Sequence, residues 1–351
     1  MTLRQRIYRL VRRVLTAVAR RLNPPRDVAL LAFAQAGADL LRGGRSAVVS
    51  PGPRAAKWTP PQLDPIPDDM EWSTPPEPER GARRSIYDTG SGPKSYDVDL
   101  LERLNDEYVD RPLVPNPPSY ALNARNKTAQ ARLRNADRQI GLVGSTVLEV
   151  GCSEGHLVWY LANDLGCDAH GVDVVERASW STFEGPRAHF VVADLALENP
   201  FPEDKFDRLI SYAVWEHVLH PYAMLEQVHR ILKPGGLALI TANLYAGPKA
   251  SHRYREIFFP WPHLLFSDET IRDWDHKHGR KPKGSSWVNR LSWAQYQDYF
   301  DEIGFITQKV SFRETEIDED FYRRFEDVLG RFPRRDLRRD FFTVILEKPT
   351  V

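Results

Sequence analysis

The chain has 351 residues with 48 basic and 48 acidic side chains, so its formal net charge is zero and there is no global electrostatic case for nucleic acid. That length suits one large core with extensions, or two small domains. Two cysteines, Cys152 and Cys167, are too few for a disulfide framework, and no apolar run approaches the length of a transmembrane helix.

Residues 2–22 hold seven arginines and no acid, while Leu3, Ile7, Leu10, Val14, Val18 and Leu22 recur every three or four positions. This spacing predicts a basic amphipathic helix. Such a helix serves as an anchor on anionic lipid or a docking surface for a partner; alternatively it packs on its own domain with the arginines in water. Arginines interrupt any secretory hydrophobic core, so the expected location is the cytoplasm, with peripheral contact on the inner face of a membrane through residues 1–22. Asp27 to Leu41 predicts a second, apolar helix, completing a segment of residues 1–42. Residues 43–96 carry nine prolines between Pro51 and Pro78 and little periodicity, which reads as a linker or arm.

Residues 97–351 are expected to form the main domain. Asp97 to Tyr108 predicts a helix, Pro112 to Pro118 a break, and Ala121 to Ile140 a polar helix leading into the first strand. The stretch that organises the chain follows: Val147-Leu148-Glu149-Val150-Gly151-Cys152-Ser153-Glu154-Gly155-His156. An apolar run ends in an acid, a glycine-bearing turn follows, and a helix opens at His156. In an open α/β sheet that junction binds nucleotide-like ligands. The glycines let the backbone approach a ligand, and the helix N-terminus offers N–H groups. Ser153 and His156 stand where a dinucleotide fingerprint requires glycine. Glu149 and Glu154 oppose a pyrophosphate but suit a ligand carrying an amino group and a sulfonium.

Glu149-Val150-Gly151-Cys152-Ser153-Glu154-Gly155 resembles the first motif of the class I S-adenosylmethionine-dependent methyltransferases, with serine at the middle glycine. Later segments extend the resemblance over roughly residues 146–243. Ala169 to Asp173 predicts a second strand ending in an acid, about twenty residues beyond the glycine loop, where a carboxylate can accept ribose hydroxyls. His189 to Asp194 predicts a third strand. Phe206 to Ser211 predicts a fourth, followed by Glu216-His217-Val218 and a helix over Tyr222 to Leu232. Leu232-Lys233-Pro234-Gly235-Gly236 then turns into a fifth strand over Leu237 to Thr241. This series is similar to the small-molecule branch of the family.

The resemblance implies a Rossmann-like α/β fold: a doubly wound, mostly parallel seven-stranded sheet with its last strand antiparallel. It implies S-adenosyl-L-methionine as cofactor, with Glu149, Gly151, Cys152, Ser153 and Gly155 at the methionine end. Asp173 and Val174 would then serve the ribose, Asp194 and the Leu195 backbone the adenine, and the Tyr212 backbone the floor. Elements ahead of the first strand often close over the ligand in this family; Tyr120, Asn123 and Arg125 are either that closure or a solvated helix start.

Residues 244–290 are irregular and follow the fifth strand at its carboxyl end, which predicts an inserted lid over the crevice. Tyr245, Tyr254, Trp261 and Trp287 either stack on a sugar or aromatic ring or are core aromatics of the insertion. His252, Arg253 and Arg255 either meet a phosphate or carboxylate or form a solvated charge run. Beyond the insertion come a helix over Ser292 to Ile303, a strand over Phe305 to Ser311, a charged helix over Ile317 to Arg331 and a last strand over Phe341 to Leu346.

Methyl transfer needs alignment, and an oxygen nucleophile needs a base. The candidates are His217 first, then His252 and His263, with His220 read as structural. Glu216 and His217 are good metal-ligand types, yet helix neighbours point about 100° apart and no second acid stands three or four residues earlier, so no metal is expected. The expected acceptor is a small molecule or glycan methylated on oxygen, not nucleic acid. The rivals are an RNA or protein methyltransferase gripping its substrate with the arginine-rich N-terminus, and a non-catalytic subunit that keeps only the fold.

Overall fold

Strand β1 (Thr146–Val150) sits at the centre of a sheet covered on both faces, so its apolar residues run continuously rather than alternating with polar ones. The computed structural model describes residues 96–117, 121–282 and 289–350, all within one compact unit. The expected helices over residues 2–22 and 27–41, the Pro-rich arm up to residue 95, Tyr120 and Trp287 lie outside the described residues.

The other strands are β2 (Asp168–Asp173), β3 (Ala188–Val192), β4 (Phe206–Tyr212), β5 (Leu232–Asn243), β6 (Ile306–Glu314) and β7 (Arg339–Glu347). Their spatial order is β3-β2-β1-β4-β5-β7-β6. Strands β1 to β5 pair in parallel, and β7 runs antiparallel to both β5 and β6. This is the doubly wound order expected, with the chain reversing direction across the sheet between β1 and β4. Ligands of such sheets bind outside the carboxyl ends at that reversal.

Alternate residues serve opposite faces. Val147, Ile210 and Leu239 pack under helices α2 (Leu122–Ile140) and α3 (His156–Asp164). Leu148, Leu209 and Ile240 face the other way, into a core shared with Met224, Val228 and Ile231 of α5 (Pro221–Ile231) and Trp293, Tyr296 and Phe300 of α8 (Trp293–Ile303). Ser292 starts α8 with a reciprocal cap to Gln295, which fixes where the helix begins. Helix α4 (Trp180–Phe183) is a single turn on the β2–β3 connection.

A third core lies within and around the insertion. Phe259, Trp261, Leu265 and Trp274 are buried there with Leu101 and Leu104 of α1 (Val98–Tyr108) and with Phe321, Phe325 and Leu329 near the C-terminus. The insertion contributes α6 (Pro262–Leu265) and α7 (Asp268–Lys277), with Ser267 capping the latter. Trp261 is 1% exposed, and its Nε1 donates to Ala246 O (3.1 Å) and Leu337 O (3.3 Å), so it is a core residue rather than a stacking platform.

Several boundaries differ from the sequence reading: β3 ends at Val192, two residues before Asp194, and β6 and β7 run further than expected. Strand β5 starts at Leu232, paired with Phe206, and the Pro-Gly-Gly stretch is taken up as an irregularity before Arg208 pairs with Leu237. The expected helix over 317–331 divides into α9 (Glu319–Arg324) and α10 (Glu326–Leu329), because Phe325 leaves helical geometry as its ring enters the third core. Helix α11 (Arg334–Arg338) precedes β7. Among the described residues, no helix is long and apolar enough to cross a membrane.

Candidate active site

The loops after β1, β4 and β5 leave the sheet side by side, since Val150 pairs with Ser211 and Tyr212 with Thr241. Gly151 turns at φ +73°, and a Cβ there would lie 2.2 Å from Val214 Cγ2, so the first loop presses directly on the loop after β4. Gly155 turns at φ +84°, where a Cβ would meet the Phe190 ring at 2.6 Å. Ser153, between them, is also left-handed at φ 45°. The Gly151 and Cys152 N–H groups both donate to Val172 O, at 2.8 and 3.1 Å. The loop is thus laid across the tip of β2.

Asp173, the last residue of β2, completes that arrangement. Its Oδ2 accepts the Ser153 N–H at 2.9 Å and its Oδ1 the Val175 N–H at 3.2 Å. Val174 beside it is 63% exposed and forms an open apolar margin with Val175 and Val192. At the next strand tip Asp194 begins a turn, Oδ1 accepting the Ala196 N–H at 2.9 Å. The Leu195 side chain is buried in the core, so only its backbone faces the crevice edge. Cys152 is buried as well, and burial raises its thiol pKa, which makes it an inert wall.

Glu149 is 4% exposed, and its Oε2 has no hydrogen-bond partner. Burial pushes its carboxyl up to about 8, against the pull of Arg132 and with the help of Asp173. Glu154 bonds Ser179 Oγ at 2.6 Å and lies 3.8 Å from the Arg125 guanidinium, so it braces the loop from outside. Tyr212 is committed through its side chain: the hydroxyl donates to Arg132 O at 3.3 Å, and the Arg132 guanidinium stands over the ring at 4.8 Å. Burial pushes that phenol up to about 12.

A second polar group lies across Val214. Glu216 and His217 sit in a 3₁₀ turn (Trp215–His217), and His252 arrives from the loop after β5. The His217 and His252 rings meet edge to face with centroids 5.0 Å apart, and His252 Nε2 is 4.0 Å from Glu216 Oε1. One ligating atom from each residue lies within 4.8 Å of the others. Glu216 is 1% exposed and neither carboxylate oxygen has a hydrogen-bond partner. Burial pushes this carboxyl up to about 7, and burial together with His217 pushes His252 down to about 3.

The turn is held from behind. Asn289 donates its N–H to Glu216 O and its Nδ2 to Trp215 O, both at 2.7 Å, and Tyr296 OH donates to Trp215 O at 3.3 Å. Asn243, the last residue of β5, places Oδ1 3.1 Å from His252 Nε2 while its Nδ2 donates to Asp340 O. His263 is buried with Nε2 2.7 Å from Tyr245 O and its pKa pushed down to about 4 by burial, so it sits behind the cluster rather than in it. Arg253 is also buried, facing Asp275 through both terminal nitrogens at 2.9 and 2.5 Å, and is not available to an anionic substrate. Arg132, Asn243 and Asn289 carried no sequence signal as site residues. The residues just before Glu216 supply no further ligand, and the third donor, His252, comes from a distant loop.

The methyltransferase domain family matches residues 120–307, more than half of the chain. The chain belongs to this family. The resemblance of its first motif to the class I methyltransferases therefore extends to the matched domain, whose sheet has the order just described. An uncharacterized methyltransferase of Mycobacteroides abscessus is 28% identical to it over 152 residues, covering 42% of this chain and 56% of that protein. One from Mycobacterium tuberculosis is 29% identical over 146 residues, covering 41% of this chain and 55% of that protein. The chain thus spans little more than half the length of these relatives. A solved S-adenosylmethionine dependent methyltransferase from Mesorhizobium loti aligns with a TM-score of 0.42 at 19% identity, covering 62% of this chain and 97% of that one.

Proposed function

We propose that this chain is an S-adenosylmethionine-dependent methyltransferase that methylates an oxygen of a small-molecule or glycan-type acceptor. The observation that carries the reading is the crevice at the β1 and β4 tips. There Glu149 has a buried carboxylate oxygen without a partner, Gly151 leaves no room for a Cβ against Val214, and the Glu216–His217–His252 cluster follows on the loop that carries Val214.

These residues fit the cofactor. A buried anionic oxygen suits an ammonium and would oppose a pyrophosphate. Glu149 with Gly151, Cys152, Ser153 and Gly155 would hold the methionine end. A carboxylate has about four acceptor sites, and Asp173 uses two on backbone N–H groups, leaving capacity for ribose hydroxyls beside Val174. Asp194 and the Leu195 backbone would take the adenine, and the Tyr212 backbone, with its side chain held by Arg132, would form the floor. When bound, S-adenosylmethionine supplies a methyl group activated on a sulfonium.

The acceptor proton leaves at the cluster. His217 and His252 are half-buried whereas His263 is buried and bonded to Tyr245 O, which favours the first two as the histidines that meet an acceptor. A neutral imidazole is the form that can receive a proton. Zero net charge supports a small acceptor over a nucleic acid, and the basic segment of residues 1–22 supports peripheral contact with an anionic membrane surface.

Calorimetry with S-adenosylmethionine tests the first half: binding with a thermal shift is expected, and its absence would leave a fold without the activity. A screen of hydroxylated small acceptors against RNA and protein substrates, with and without residues 1–45, tests the second. Loss of all turnover on deletion, with polymer substrates preferred before it, overturns the small-acceptor assignment.

A further inference from the structure

We infer that Glu216, His217 and His252 form a binding site for a divalent cation of the first transition row, set on the acceptor side of the crevice. This deepens the proposed function and rests on it only for what the cation does, not for whether it binds.

Three observations support the site. The three residues present ligating atoms within 4.8 Å of one another, and no sequence neighbourhood forces this, since His252 comes from a separate loop. Glu216 is 1% exposed and both its oxygens lack hydrogen-bond partners. Such a carboxylate is costly to bury unless something cationic compensates it. The surroundings also hold the donors firmly: Asn289 bonds the backbone of the 3₁₀ turn at two carbonyls, and Asn243 Oδ1 faces His252 Nε2 at 3.1 Å. Because Asn243 Nδ2 is engaged by Asp340 O, the amide oxygen is the atom that faces His252 Nε2 and orients that ring.

The donor chemistry selects the ion. Two imidazoles with one carboxylate suit zinc, cobalt, iron or manganese, whereas magnesium and calcium prefer all-oxygen sets. A second group, Asp168 with His170 and His189, has similar spacing but different chemistry. Each aspartate oxygen there already faces one imidazole nitrogen at 3.3 Å, and the aspartate is half-exposed at the amino end of β2. Of the two, the first group combines compatible donors with a buried carboxylate that no side chain hydrogen-bonds.

A cation so held keeps coordination positions for an acceptor oxygen. Its charge makes a bound hydroxyl more acidic: the O–H bond breaks, the proton passes to solvent water, and the electron pair stays on the oxygen that is to be methylated. With the cation bound, His217 and His252 are its ligands, so water takes the proton that an imidazole would take without it.

The experiment uses the untagged full chain, stripped with a chelator and titrated with Co²⁺ in the absence of cofactor and acceptor. Visible absorption and calorimetry follow binding, and Zn²⁺ and Mg²⁺ serve as competitors. One equivalent of Co²⁺ is expected, displaced by Zn²⁺ and not by Mg²⁺. Glu216→Gln and His252→Asn should each weaken binding at least about tenfold. Circular dichroism and thermal melts of the same variants report whether they fold; His217→Gln, at a less buried position, provides a further variant if Glu216→Gln does not. No Co²⁺ binding by the wild type, or equal binding by folded variants, overturns the site. If Co²⁺ binds as expected while S-adenosylmethionine does not, the metal site stands and the proposed activity falls.

Discussion

The carboxylate of Asp173 accepts the backbone N–H of Ser153 at 2.9 Å. One acid at the tip of β2 therefore fixes the glycine loop while retaining lone pairs for a ligand. Replacing it separates the two roles. Asp173→Asn keeps an acceptor for the Ser153 N–H but loses the charge and the second acceptor, and should weaken S-adenosylmethionine binding by about tenfold or more with a smaller loss of stability than Asp173→Ala. Asp173→Ala should weaken binding similarly and also destabilise the chain by about 1 kcal/mol, as two N–H groups lose their partner. Calorimetry and thermal melts read the two effects, and wild-type affinity in both variants would remove Asp173 from the ribose.

Gly151 presses on Val214, and this contact can be dissected. Gly151→Ala introduces a Cβ 2.2 Å from Val214 Cγ2 at a left-handed φ of +73°. Left-handed strain costs about 1–2 kcal/mol and overpacking about 1–3 kcal/mol. The single variant should therefore lose more stability than Val214→Ala/Gly151→Ala, which keeps the strain but relieves the clash. Denaturant unfolding of the four proteins measures the coupling, and strict additivity would mean that the loops do not touch.

Much of the cofactor side was legible because it is local. Val147 to His156 spells strand, turn and helix in ten consecutive positions, and the acids at the tips of β1, β2 and the turn after β3 follow at regular intervals. Glu216, His217 and His252 are each singled out by residue type in the sequence, but their meeting is not legible there, for a physical reason. Periodicity tells which face of an element is buried, but not which residues of separate loops meet. Glu216 and His252 are joined by the parallel pairing of β4 and β5, and Asn289 reaches the turn of Glu216 from the end of the insertion. Arg132 stands on a polar helix that reads as solvated, yet it covers Tyr212. Phe258 to Phe266 reads equally as a stacking lid or a core, and only the partners of Trp261 decide between them.

Glu149 gives a pH dependence of definite sign. Its folded pKa of about 8 lies above the ordinary value of 4.5, so the fold favours the protonated acid. The associated stability is complete below about pH 4.5 and is lost as pH rises through about 8, a change on the order of 4 kcal/mol. Glu149→Gln cannot ionise, so it should match the wild type near pH 4 and melt higher near pH 9. It should also bind S-adenosylmethionine more weakly, because the ammonium loses its anion. Wild-type binding near neutrality should release a proton, visible as a dependence of the calorimetric heat on buffer ionisation; in the variant that dependence should vanish.

Arg132 tunes the same acid. It draws the pKa of both Glu149 and Glu216 downward against their burial. Arg132→Met should let both rise, moving the pH at which S-adenosylmethionine binding is half-maximal upward. An unshifted profile in a stably folded variant would show that Arg132 serves only to pack on Tyr212.

The loop that carries His252 is anchored one residue later. Arg253 and Asp275 are 5% and 0% exposed and meet through two bonds, tying the loop to α7. A buried pair contributes little beyond a well-packed apolar substitute, but breaking it strands a charge at a cost of about 3–5 kcal/mol. Asp275→Ala should therefore be strongly destabilising, whereas Arg253→Met with Asp275→Leu should recover most of that loss. The double variant also tests whether the pair positions the site: His252 sits at φ 56°, a conformation its neighbours must enforce. If the ion pair orients His252, the recovered protein should regain its melting temperature but not its full affinity for Co²⁺. Recovery of both would mean that the insertion's core alone, through Trp261 and Trp274, is enough to hold the loop.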